Sequence, residues 1–150
     1  MCVIIDADLA SRVFATPRQA EFVPLWHWVE RKDGVIVYGG KLAGELKKVG
    51  NAWRYLRQLN AAGRAHHEPD TTVLPEEEHV AGLGICRSDD PHVIALARIT
   101  RARVLCSADR NLHADFTNPQ LINQPRGRVY QNAGHAHLLK HTPGCVGRRQ

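Results

Sequence analysis

The chain has no apolar run near the ~20 residues that a helix needs to cross a bilayer, so no membrane contact through a spanning helix is expected. No basic segment precedes its first apolar stretch, and Asp6 interrupts that stretch at once. A secretory signal is therefore not expected. None of its cysteines (Cys2, Cys86, Cys106 and Cys145) forms a C-x-x-C pair, which argues against a closed cysteine zinc site. Free cysteines in apolar segments behave as small core residues. A reduced, cytoplasmic protein is the expectation, because disulfides track oxidising compartments. The lysine-bearing glycine loop of phosphate-binding folds is missing, and Gly39-Gly40 reads as a turn. No Ser-His-Asp or Cys-His nucleophile arrangement stands out.

What is present fits one domain over residues 1–150, with a flexible tail from about residue 141. Hydrophobic residues make up 43% and charged residues 23% of the chain, ordinary values for a globular protein. Lysine and arginine total 20 against 15 acids, giving a net charge of +5. If several acids gather in one site, the rest of the surface is more basic than the total implies. A basic surface around an acidic pocket suits a polyanion processed with a metal ion.

Apolar, β-branched runs at residues 2–6, 35–38 and 103–106 read as buried strands. Residues 64–71 can hold a short edge strand, and 128–130 a late one. Between them lie helical patterns: one after Asp6 capped by Asp8 or Ser11, and one from Pro17 to about Lys32 kinked at Pro24. Others run over Lys41–Lys48, from an Asn51 cap to Asn60, from Pro75 onward, over Pro91–Arg101 and over Asp109–Phe116, with a short one at His135–Lys140. Trp26 and Trp28 flank His27, so at least one tryptophan is expected at the surface. Strands alternating with helices predict an α/β class, a three-layer α/β/α domain with a mostly parallel central sheet.

Four acids punctuate this pattern. Asp6 ends the first strand, Glu45 sits on the helix after the second, Asp90 precedes the helix at Pro91, and Asp109 follows the strand at 103–106. In a parallel sheet, residues just past strand C-termini converge in one crevice. Gathered carboxylates repel, and a divalent cation is the natural reason to gather them. Mg²⁺ and Mn²⁺ prefer hard oxygen ligands, and such ions support phosphodiester hydrolysis.

The motifs Val3-Ile4-Ile5-Asp6-Ala7-Asp8, Lys41-Leu42-Ala43-Gly44-Glu45-Leu46, Ser88-Asp89-Asp90-Pro91-His92-Val93-Ile94-Ala95 and Val104-Leu105-Cys106-Ser107-Ala108-Asp109 occur in that order. Asp115-Phe116-Thr117-Asn118-Pro119 follows them. In this order and local setting the chain resembles the PIN-domain family up to about Tyr130. The resemblance implies a Mg²⁺- or Mn²⁺-dependent ribonuclease, with Asp6, Asp90 and Asp109 holding metal and Glu45 ligating it or orienting the attacking water. It implies RNA, single-stranded, as substrate, a toxin role with an antitoxin protein as partner, and a homodimer. Asp8 departs from the asparagine or serine common in the family and stands as an outer acid. The long early helical segment and His-rich tail depart from the shortest toxins.

Ser107 supports a carboxylate or phosphate, and Asp89 can exchange roles with Asp90. Lys41 and Arg110 are candidate phosphate contacts, with Arg54, Arg57 and Arg126 behind them. Asp115 reads as a helix or turn residue. His66-His67 and the pair His135 and His137 make poor zinc sites, since adjacent residues rarely face one ion. Two other readings stay open. One is a PIN-like RNA- or protein-binding module with a weak or inactive site. The other is an aspartyl phosphatase, since Asp6-Ala7-Asp8 superficially resembles its D-x-D element and Asp6 would carry the phosphoryl group.

Overall fold

The structure is a computed structural model describing residues 2–140 and Cys145. Five strands form one sheet: β1 (Cys2–Ile5), β2 (Val35–Gly39), β3 (Ala65–Glu68), β4 (Val104–Cys106) and β5 (Arg128–Val129). Their order is β3-β2-β1-β4-β5, and every pairing is parallel. Helices α1 (Ala7–Val13), α2 (Val23–Glu30), α3 (Gly40–Leu46), α4 (Ala52–Ala61), α5 (Asp70–Gly82), α6 (Pro91–Thr100) and α7 (Arg110–Phe116) accompany it. The result is the expected three-layer α/β/α arrangement around an all-parallel sheet. No helix among the described residues is long and apolar enough to cross a membrane.

Burial explains the strands. Every residue of β1, β2 and β4 is buried, as strands covered on both faces require. The chain leaves β1 to build β2 and β3 on one side, then returns to build β4 and β5 on the other. β1 and β4 therefore flank a topological switch point, where ligand crevices open at strand C-termini. α6 carries the return. Its residues from His92 to Ala97 are all buried, packed against α5, α3 and the central strands.

Some local expectations are corrected. The segment before β2 is a 3-10 turn at Ala20–Phe22 followed by α2, so Pro24 lies in the first turn of a helix. Its missing N–H costs nothing there. Trp26 and Trp28 are both buried, at 5% and 3% exposure. α2 is covered on two sides: Trp26 meets Phe14 and Tyr55 and donates to Val13 O at 2.8 Å. Trp28 packs so closely over Gly34 that a Cβ there would lie 2.1 Å from its ring. α5 starts after Pro69 and contains Pro75; burial of Val73 and Val80 offsets the lost helical hydrogen bond. Asp6, rather than Asp8 or Ser11, caps α1. Asn51 makes no capping bond to α4, and its Oδ1 accepts from Arg54 instead. The helix expected at His135–Lys140 is a 3-10 stretch at Ala133–Leu139.

The expectation of four reduced cysteines is also corrected. Cys86 and Cys106 are free, whereas Cys2 and Cys145 form a disulfide across 143 residues of sequence. Apart from Cys145, the tail expected to be flexible lies outside the described residues.

Candidate metal centre

The register of β1 on β4 pairs Ile5 with Cys106, so the next residues of each strand emerge together. Asp6 N donates to Cys106 O at 2.9 Å. Asp6 Oδ1 caps α1 by accepting from Ala7 N at 2.8 Å. Its Oδ2 accepts from Ser107 Oγ at 2.8 Å across 101 residues of sequence. Ser107 is a buried hub: its Oγ also accepts from Asp109 N at 3.1 Å and lies 3.4 Å from Asp8 Oδ2. Asp8 Oδ2 further accepts from Ala108 N at 3.0 Å. Asp109 caps α7, its Oδ1 accepting from Asn111 N and Leu112 N. Each of these carboxylates keeps lone pairs beyond its protein bonds.

Glu45 and Asp90 arrive from the other side. β2 turns straight into α3 through Gly40, whose φ of +57° suits glycine, and where a Cβ would lie 2.7 Å from Val73. That tight turn keeps α3 close to the strand end and brings Glu45 to the crevice. Asp90 stands at the N-cap position of α6, yet its carboxylate makes no capping bond. The loop that delivers it is tied down by Asp115, only 1% exposed. Asp115 Oδ1 accepts from Arg87 N at 2.7 Å, and Oδ2 accepts from Ser88 N at 2.9 Å and Ser88 Oγ at 2.7 Å. Glu45 Oε1 lies 3.0 Å from Nε2 of the buried His92.

These acids bear on one another. Burial pushes the Asp6 carboxyl up to about 7, and Asp8 and Asp90 add to the rise while Ser107 and Ala7 oppose it. Asp90 is also raised, first by burial and then by Glu45 and Asp109, against the pull of His92 and Lys41. Gathering negative charge in a partly desolvated hollow makes ionisation costly without a cation. Oxygen atoms of Glu45 and Asp90 and a nitrogen of His92 lie within 4.8 Å of one another. Hard oxygens, an Asp90 carboxylate free of any capping bond and a buried imidazole nitrogen with no hydrogen-bond partner fit a divalent ion.

Hydrogen bonds join Asp6, Asp8, Ser107 and Asp109, and the charges of Glu45 and Asp109 bear on Asp90, whose own charge bears on Asp6. Asp89 is exposed, and Asp90 is the residue whose charge reaches Asp6. Lys41 is exposed and near enough to favour Asp90 ionisation. Arg110 is exposed at the first position of α7. Arg126 engages Thr117 O, and Arg54 engages Asn51 and the Tyr55 ring. His66 pairs with Glu68 and His67 stacks on Tyr38, so neither faces a shared ion. Sequence reasoning missed His92 as a site residue and Asp115 as the anchor of the Asp90 loop. Both sit inside motifs singled out there, but their partners are 47 and 27–28 residues away. Comparison with protein-family models, with curated proteins and with solved structures returns no match.

Proposed function

We propose that the chain is a PIN-like endoribonuclease that hydrolyses RNA phosphodiester bonds with Mg²⁺ or Mn²⁺. The observation that supports this reading is the acidic cluster beside the β1/β4 switch point: burial, Asp8 and Asp90 push Asp6 up to about 7, and Glu45 and Asp109 bear on Asp90. Asp6, Asp90 and Asp109 would hold the ion, directly or through water. A bound divalent ion would supply an activated water and stabilise the leaving oxygen.

The chain's own groups do the rest. Ser107 fixes Asp6 by its hydroxyl and Asp109 through the backbone N–H. Asp115 holds the loop that presents Asp90. Glu45, 36% exposed, is placed to ligate the ion or orient the attacking water. Lys41 and Arg110 at the rim would take substrate phosphates, and the net charge of +5 suits a polyanion. Single-stranded RNA is the proposed form. A cytoplasmic toxin paired with an antitoxin, acting as a homodimer, belongs to the same reading.

The test is incubation of single-stranded RNA and Mn²⁺ with wild type, Asp6→Asn and Asp90→Asn. Cleavage by wild type and its loss in both variants supports the proposal. Equal cleavage by all three points to a contaminant and ends the enzyme reading. No cleavage while Mn²⁺ binds favours the binding module.

A further inference from the structure

His92 lies two residues beyond Asp90 on α6, and its side chain is 1% exposed. Its Nε2 is 3.0 Å from Glu45 Oε1, an ordinary hydrogen-bond length. An ionised carboxylate can only accept, so the ring carries its hydrogen on Nε2. In the neutral ring Nδ1 is then a bare lone pair. That atom is buried and has no hydrogen-bond partner.

Asp90 Oδ1 lies 4.0 Å from Nδ1. The gap is too long for a hydrogen bond. Two atoms each about 2.1 Å from one ion can stand up to about 4.2 Å apart. The spacing rules out a shared proton and still lets one cation touch both atoms. The arrangement also has the form of a carboxylate–histidine–metal relay, in which the carboxylate fixes the tautomer and the far nitrogen ligates.

We infer that His92 Nδ1 is a nitrogen ligand to a divalent transition ion shared with Asp90, and that Glu45 holds the imidazole in the ligating tautomer. This rests on the reading of the crevice as a metal site and adds to it a ligand that is not a carboxylate. The consequence is selectivity. Mg²⁺ keeps to oxygen ligands and water, and Mn²⁺ shares that preference but, as a first-row transition ion, also accepts imidazole nitrogen, so the mixed set shifts the balance from Mg²⁺ toward Mn²⁺.

The experiment uses the full chain with Mn²⁺ alone, read by pulsed electron paramagnetic resonance, which detects nitrogen bonded directly to the ion. His92→Gln is the informative variant, because its amide keeps a donor toward Glu45 and removes Nδ1. Circular dichroism confirms that it folds, and His92→Asn replaces it if it does not. Wild type is expected to show bonded nitrogen and the variant to lose it. The Mn²⁺-to-Mg²⁺ affinity ratio is expected to fall by about tenfold or more. If Mn²⁺ binds and is lost in Asp90→Asn, but no nitrogen coupling appears or it persists without His92, this inference falls and the carboxylate site stands. If Mn²⁺ binding is indifferent to Asp6→Asn and Asp90→Asn, the metal-site reading falls and takes His92 with it.

Discussion

Without metal, Asp6 should weaken the fold as pH rises, and Asp6→Asn should remove that weakness. Burial moves its carboxyl from 3.8 to about 7 in the folded chain. The folded state therefore binds this proton more tightly than the unfolded state does. Stability is greatest below the unfolded value, falls as pH climbs from about 4 to about 7, and is flat beyond. At about 1.36 kcal/mol per pH unit, the ionised group costs the fold about 4 kcal/mol at pH 8. Asparagine carries no charge, can still accept from Ala7 N, and can turn its amide toward Ser107 Oγ. Urea titrations of wild type and Asp6→Asn, with chelator, near pH 4.5 and pH 8 measure the difference. Groups remote from Asp6 cancel in that difference, and the remainder belongs to Asp6 with its neighbours Asp8 and Asp90. The variant should gain roughly 3–4 kcal/mol on wild type between the two conditions. Parallel stability profiles would refute the claim that Asp6 is ionised at a cost in the metal-free crevice.

Mn²⁺ binds only the folded crevice in this picture, so it should raise the wild-type melting temperature, worth about 2.7 kcal/mol at a hundred times Kd. Asp90→Asn should blunt that rise, and an equal rise in both would contradict a shared ion. Asp115→Ala should destabilise by about 3 kcal/mol, since it strands the buried Ser88 N–H and hydroxyl and the partly buried Arg87 N–H. Chemical denaturation checks this, and loss of RNA cleavage should accompany it because the loop carries Asp90. Alkylation of the unreduced, unfolded chain should modify two cysteines, Cys86 and Cys106, and leave Cys2 and Cys145 paired. Reducing that pair opens a ring spanning nearly the whole chain, for which the chain-entropy estimate is about 5 kcal/mol, read as a fall in the urea midpoint.

Much of this was legible in the sequence where local physics governs. β1, β2 and β4 announce themselves as short β-branched runs, because strands buried on both faces need apolar side chains throughout. Asp6 follows β1 directly and Asp109 comes three residues after β4, so the parallel-sheet rule places both at the same edge of the sheet. Glu45 and Asp90 required helix starts, which Gly40 and Pro91 mark. What stayed hidden depends on long-range contacts. Burial of both tryptophans needs α2 covered on opposite sides. Tolerance of Pro75 inside α5 depends on packing against α6. The role of His92 depends on Glu45, 47 residues away, and the Cys2–Cys145 pairing spans 143.

The most direct measurement is the anomalous scattering of manganese in crystals soaked with Mn²⁺. A peak is expected in the crevice between Asp6, Asp90 and Asp109, at about 2.2 Å from carboxylate oxygens. Manganese found only elsewhere on the surface, with the crevice carboxylates bound to nothing but protein and water, would contradict the shared-cation site.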